Sequence, residues 1–452
     1  MKHFTIRQLV SATNGTFYGE PEALDREIAF VTSDSREVGA GALFVAFKGA
    51  RADGHDFMAS CLRHGATCCL SERAPKENET PCVQVESTLD ALGALAGWYR
   101  GRFAIPVVGI TGSVGKTTTK EMIAAVLSER FRTHKTEKNF NNALGVPKTL
   151  LKLDKMHEAA VIEMGISAFG EMRVLTNMVR PTIAVMSVIG DSHLEFLGDR
   201  AGVLRAKSEI FESMQPDDLA VLNGDDAYLK NFYPPTRRVT YGLNPENDFV
   251  ATNVCNLGAD GVRCTISHGG SSFDAYIPAF GVHMVYAALA AAAVGSALGM
   301  TDAQIARGIA RYRTVGERAR VIRSPKITIV SDCYNANPSS VDAAIKSLKM
   351  LPGRKVCILG DMLELGENTN ALHEEVGRSA VHAGAELVLT AGELSKHTHS
   401  GAIAEGGNAV WYETRDALIH ALPEMIREGD AVLVKASHSM AFEKITEALQ
   451  TL

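Results

Sequence analysis

One junction constrains this chain more than any other stretch: the apolar run Ile105–Ile110 leads directly into Thr111-Gly112-Ser113-Val114-Gly115-Lys116-Thr117-Thr118. A run rich in β-branched residues fits a strand buried on both faces of a parallel sheet. The segment after it, Lys116–Phe131, has helical periodicity through Met122, Ile123, Val126 and Leu127. A glycine-rich turn between buried strand and helix gathers backbone N–H groups and the positive helix end at one point, where an anion binds. Lys116 can neutralise phosphate charge there, and the Thr117 hydroxyl can ligate Mg²⁺. The strict pattern G-x-x-x-x-G-K-[ST] is not met, because Ile110 stands where its first glycine belongs. An ordinary strand–turn–helix is the plainer alternative, but it has no need of Gly-Lys-Thr at that place.

The rest of the chain sets limits around this feature. At 452 residues it exceeds one ordinary domain. Hydrophobic residues at 46% and charged residues at 22% suit a soluble globular class, and a net charge of −6 argues against general nucleic-acid binding. The start, Met1–Gln8, lacks the apolar run of a secretory signal, and Met284–Met300 is mostly Ala and Gly. That stretch falls short of the ~20 residues a membrane span needs and reads as a buried helix. The eight cysteines include no Cys-x-x-Cys pair, which fits reduced thiols in a cytoplasmic protein rather than a zinc site.

Three blocks are expected: residues 1–83, with short apolar runs such as Ala42–Phe47 and a loop at 74–81; residues 84–314, around the glycine-rich turn; and residues 315–452. Strands are expected at Ala159–Glu163, Ile183–Val188 and Leu219–Leu222, with shorter β pieces over Val239–Ile277. The alternation restarts with Ile327–Ser331, Val356–Leu359, Leu387–Thr390 and Ala431–Val434. The fold class is therefore α/β: a central parallel sheet with flanking helices, and a doubly wound Rossmann-like carboxyl-terminal domain. Glu163 ends a strand on the edge where a parallel sheet presents its ligands, and His193 follows another strand end. Lys207 reads on its own as a solvated helix lysine.

Further segments stand in order along the chain: Asn139-Phe140-Asn141-Asn142 with Gly145–Leu151, Glu163-Met164-Gly165, Asp332-Cys333-Tyr334-Asn335-Ala336-Asn337-Pro338, and Leu359–Gly366. With the glycine-rich loop, they make the chain resemble the Mur ligase family over essentially its whole length. The resemblance implies an enzyme of three domains that uses ATP and Mg²⁺, with an amino-terminal UDP-sugar domain, a central ATPase domain and a carboxyl-terminal acceptor domain. The substrates implied are UDP-N-acetylmuramoyl-tripeptide and D-alanyl-D-alanine, joined through an acyl phosphate by a monomer. Whether the third peptide residue is diaminopimelate or lysine stays open. A sister ligase that adds this third residue, and a regulator that hydrolyses ATP without ligation, are the alternatives.

Residue roles follow from the same resemblance. Gly112, Ser113, Val114, Gly115, Lys116, Thr117 and Thr118 would hold the phosphates, with Arg318 at the γ-phosphate and Asp332 at the ribose. Thr117, Glu163 and His193 would hold two Mg²⁺ ions, and Lys207 matches a lysine that relatives carbamylate. Lys116, Lys207, His193 and Glu163 form the implied catalytic set. Ser35 and Arg36, in Thr32–Arg36, and Asp53 and His55, in Asp53–Phe57, resemble UDP-sugar segments, although alone they read as polar turns. Asn141, Asn142, Asn335, Asn337, Lys435 and Ser437 are the other implied substrate contacts. Two departures stand out. Met284 and Ala287 replace the asparagines of the family's His-Asn-x-x-Asn pattern after His283, and Ala436 and His438 stand where Gly and Arg are frequent.

Overall fold

The computed structural model describes residues 2–49 and 52–452, so Met1, Ala50 and Arg51 lie outside it, including the first residue of the amino-terminal segment weighed above. Val107–Thr111 is the strand that organises the centre of the molecule. It pairs in parallel with Ala159–Glu163 on one side and Ile183–Met186 on the other, and all three strands are buried throughout. It begins at Val107 rather than Ile105 because Pro106 has no N–H to donate; the Pro106 carbonyl still accepts from Ala160 N at 3.0 Å. Thr133–Lys135 flanks one edge, and Leu219–Asn223, Arg237–Gly242 and Phe249–Asn256 continue the parallel order on the other. Val262–His268 and Ser271–Ile277 then add antiparallel, so the expected short β pieces extend the same nine-stranded sheet.

The helix after the glycine-rich turn runs Lys116–Leu127, stopping before the expected Phe131. Ser128 Oγ turns back to the Ala124 carbonyl at 2.7 Å, a competing bond that favours helix ends. The Ala-rich helix, Met284–Ala297, packs against it, and its small side chains at 287, 288 and 290–293 are all buried. No helix among the described residues is long and apolar enough to cross a membrane.

The amino-terminal sheet orders Phe30–Thr32, Ala42–Val45, Ala66–Ser71 and Cys82–Gln84 in parallel, with Thr16–Tyr18 antiparallel at the edge. It is not a separate body. Leu43, Leu70 and Val83 of this sheet, Leu92, Leu95 and Tyr99 of the helix Thr88–Arg100, and Val107, Leu150 and Ala160 of the central unit belong to one continuous apolar core.

The carboxyl-terminal sheet orders Arg320–Arg323, Thr328–Asp332, Ala431–Lys435, Lys355–Gly360, Leu387–Ala391 and Ala409–Tyr412. All neighbours are parallel except the first pair, an antiparallel edge strand rich in arginine that the sequence reading did not anticipate. Its two faces carry their own cores, and of the central unit's buried residues Phe280 joins one of them. Ala259, partly buried, packs against the same core, and polar contacts complete the join. Glu364 Oε2 lies 2.7 Å from His193 Nδ1, Ser339 donates to Asp191 at 3.4 Å, and Arg323 donates to Asp260 at 2.6 Å.

Candidate active site

Between the central and carboxyl-terminal sheets lies a cavity of 1180 Å³, lined by the glycine-rich turn, Glu163, His193, Arg318, Asp332 and Lys435 among others. The turn is built by two glycines in the left-handed region. Gly112 has φ +141°, and a Cβ there would meet Ser187 Oγ at 2.0 Å; Gly115 has φ +82° and opens the helix. Side chains at these positions would clash or strain, so the backbone can wrap tightly enough to aim its N–H groups inward. Lys116 folds over the turn and donates to the Gly112 carbonyl at 2.9 Å. Burial lowers its pKa, and nearby Glu163 opposes that shift. Ser113 is tied to the next strand end, accepting from Gly190 N at 2.9 Å.

Thr117, in the first turn of the helix, donates to both Glu163 oxygens, at 2.9 and 3.1 Å. Asn141 Nδ2 donates to the same carboxylate at 2.9 Å, while Asn142 caps the following turn by accepting from Leu144 and Gly145 N–H groups. His193 adopts a left-handed φ of 54°, and burial lowers its pKa. Its Nδ1 lies 2.7 Å from Glu364 Oε2, a contact that reaches across to the carboxyl-terminal unit. Lys207 differs most from its plain reading. It is 1% exposed, no hydrogen-bond or ion-pair partner reaches its amine among the described residues, and burial, with Lys116 second, drives its pKa well down. Such an amine is held neutral and nucleophilic.

On the carboxyl-terminal wall, Arg318 lies 3.7 Å from the centre of the Tyr334 ring, and Tyr334 stacks on His438 at 5.3 Å. Arg318 is thus an oriented guanidinium facing the cavity. Asp332 accepts from Lys435 Nζ at 2.6 Å and from Ala319 N at 3.2 Å. Asn335 accepts from Ala336 N, and Asn337 caps the helix Pro338–Leu348. Ser437 lies outside the cavity lining and accepts from Leu363 N at 3.1 Å. His283, Met284, Tyr286 and Ala287 line the far end, where Tyr286 donates to Asp225 at 3.0 Å.

The amino-terminal candidates sit apart from this cavity. Arg36, its side chain 86% exposed, forms a bidentate pair with Asp34, and Ser35 opens the short turn Ser35–Glu37. His55 Nε2 accepts from Glu72 N at 3.1 Å, so Nδ1 carries the proton and donates to Asp53 at 2.6 Å. Sequence reasoning passed over Lys120, a buried lysine 3.7 Å from Glu163. Its signal was its spacing from Lys116 and Thr117 on one helix face.

These residues fit magnesium and a triphosphate. Thr117 and Glu163 offer hard oxygen donors beside inward N–H groups, and a neutral Lys207 can take up CO₂ to become another oxygen donor. No group of three or more His, Cys, Asp or Glu converges among the described residues. That suits a cation held by one or two protein oxygens and by phosphate rather than by a protein cage.

Comparisons with known proteins agree in all three parts of the chain. Residues 27–100 match the model described as Mur ligase family, catalytic domain; residues 110–295 match Mur ligase middle domain; and residues 317–438 match Mur ligase, glutamate ligase domain. The chain is 36% identical to UDP-N-acetylmuramoyl-tripeptide–D-alanyl-D-alanine ligase of Bacillus subtilis, over 98% of each chain. It is 38% identical to the protein of the same name in Escherichia coli, over 99% of this chain and 98% of the other. Among solved structures, MurF from Acinetobacter baumannii superposes with a TM-score of 0.92 at 30% identity over the whole of both chains. MurF ligase from Thermotoga maritima in complex with ADP gives 0.84 at 29% identity, over 93% of this chain and 97% of that one.

Proposed function

Because the chain belongs to the Mur ligase family, we propose that it is the ATP-dependent ligase that joins D-alanyl-D-alanine to UDP-N-acetylmuramoyl-tripeptide, making a pentapeptide precursor of peptidoglycan. The observation that carries this reading is that the phosphate loop, Glu163, Arg318 and the Asp332–Lys435 pair face one cavity between two sheets. In this reading residues 1–83 hold the UDP-sugar, 84–314 the triphosphate, and 315–452 the dipeptide.

A carboxylate resists amine attack because its oxygen is a poor leaving group. The tripeptide carboxylate attacks the γ-phosphorus of ATP, ADP departs, and an acyl phosphate forms. The free amine of D-alanyl-D-alanine then adds to the acyl carbon, loses a proton and expels inorganic phosphate, leaving the amide. Lys116 and Arg318 offset repulsion between the carboxylate and the triphosphate, and the loop amides fix the phosphates in line. Asp332 takes the ribose hydroxyls, and Lys435 holds Asp332 in place. Thr117, Glu163, His193 and a carbamylated Lys207 would hold the magnesium ions, which would supply further charge neutralisation. A cytoplasmic monomer belongs to the same reading; the eight unpaired cysteines support its reducing compartment.

The test is to supply ATP, Mg²⁺, the UDP-linked tripeptide and the dipeptide, then follow phosphate release and ligated product. Release must require both acceptors, and hydroxylamine must trap a hydroxamate of the tripeptide. Release without either acceptor would favour the non-ligating ATPase instead. Lys116→Ala should lower turnover by ~10²–10³.

A further inference from the structure

We propose that Lys120 is a positioning residue for Glu163, and that Lys135, Glu121 and Lys120 form a line of alternating charge that sets how tightly the Glu163 carboxylate takes a divalent cation. The inference rests on the reading of Glu163 as a metal-holding group.

The geometry begins with helical spacing. Lys120 follows Lys116 by four residues and Thr117 by three, so all three share one face of the helix Lys116–Leu127. Lys120 is 1% exposed, and a buried ammonium is tolerated only with partners. Its Nζ donates to the Thr136 carbonyl at 2.8 Å, and it lies 3.0 Å from Glu121 Oε1 and 3.7 Å from Glu163 Oε2. Glu121 pairs through its other oxygen with Lys135, whose side chain is 43% exposed. The signs therefore alternate from solvent to site: Lys135, Glu121, Lys120, Glu163. Thr136 closes the frame from the other side, since its Oγ1 accepts from Glu163 N at 3.0 Å.

Two effects of Lys120 oppose each other. Its charge repels an incoming cation, yet it also steadies a carboxylate that is 2% exposed and has only neutral hydrogen-bond donors, Thr117 and Asn141. The distances decide between them. Nζ is committed at 2.8 and 3.0 Å to Thr136 and Glu121, so most of its charge is answered there. At 3.7 Å it is beyond hydrogen-bond range of Glu163, orienting the carboxylate without occupying the lone pairs that a metal needs. Orientation wins, and loss of Lys120 weakens the metal site.

The test uses three full-length variants: Lys120→Met, Lys120→Met with Glu121→Gln so that the Glu121 oxygen facing Lys120 is not left as an unpaired charge, and Lys120→Arg. Each is loaded with a nonhydrolysable ATP analogue and titrated with Mn²⁺, followed by the electron paramagnetic resonance of the free ion. Outer-shell partners typically alter metal affinity about 10–100-fold. Both Met variants should raise the Mn²⁺ dissociation constant at least ~10-fold. They should raise the Mg²⁺ needed for half-maximal ligation in parallel, with kcat recovered at saturating Mg²⁺ and KM for the tripeptide substrate unchanged. Lys120→Arg should restore most of the affinity.

Mn²⁺ affinity equal to wild type in the double variant overturns the proposal, as does a kcat deficit that saturating Mg²⁺ leaves in place. Loss of folding in the double variant also overturns it, because Lys120 would then be a packing residue. Wild-type protein that binds analogue and Mn²⁺ but forms no amide would instead sink the proposed ligase activity and leave the positioning role intact.

Discussion

The central sheet meets its two neighbours in opposite ways. Towards the amino terminus the join is apolar and continuous, running from Leu43 and Leu70 through Leu95 and Tyr99 to Val107 and Ala160 without a polar break. Towards the carboxyl terminus it is a handful of polar contacts, His193–Glu364, Asp191–Ser339 and Arg323–Asp260, beside the small apolar patch of Phe280 and Ala259. Apolar burial scales with area and is hard to open, whereas partly hydrated ion pairs contribute little and exchange readily with water. The first two units should therefore move as one body, and the third should be free to approach and withdraw across the cavity that carries the phosphate loop.

The largest expected effect comes from damaging the apolar join. Leu95 is fully buried, so Leu95→Ala should cost about 2–5 kcal/mol. Calorimetry should show the amino-terminal and central units melting together at a lower temperature; two separated transitions for those units would break the comparison. Next is His134, buried and donating to the Thr149 carbonyl at 2.8 Å on the helix that supplies Val146 and Leu150 to the same core. Burial lowers the pKa of its ring below the ordinary histidine value. The unfolded chain takes up this proton near pH ~6.5 while the fold still refuses it. Stability is therefore flat above that pH and falls as pH drops through it toward the lower folded value. His134→Gln should flatten that acid-side slope of melting temperature, and an unchanged slope would remove His134 as its source.

The polar join should respond differently. Glu364→Gln should change stability by no more than ~1 kcal/mol, yet increase the radius of gyration in small-angle scattering as the third unit withdraws. Unaltered scattering would mean that the His193–Glu364 contact does not hold this join. The smallest effect belongs to Arg323→Ala, since both partners of the Arg323–Asp260 pair are more than half exposed. Its cost should be ~0.2–1 kcal/mol at low salt and should fade when salt is added.

Much of the site was legible because it is local. The strand into Thr111, the turn and the helix from Lys116 lie within one short segment, and Glu163 ends the neighbouring strand, so periodicity alone placed Thr117 and Glu163 on one edge. What was not legible depends on burial that no local pattern reports. Nothing in the local pattern of their helices sets Lys207 and Lys120 apart from solvated lysines, and only the three-dimensional packing hides them. The pairing of His193 with Glu364 joins residues far apart in the chain and on different units, so no spacing could suggest it. Arg320–Arg323 was not anticipated as a strand because a short antiparallel edge strand can carry arginines on its open side and so lacks a buried strand's apolar run.

The unbroken apolar seam between the first two sheets has a geometrical corollary. Sheets welded in this way keep a constant separation, so on the proposed reading, with the UDP-sugar held by the amino-terminal sheet, a substrate can present its far end to the phosphate loop only when it has the right length. Such a body works as a measuring gauge. Substrates shorter or longer by one residue would be rejected by reach alone, before any side chain is read.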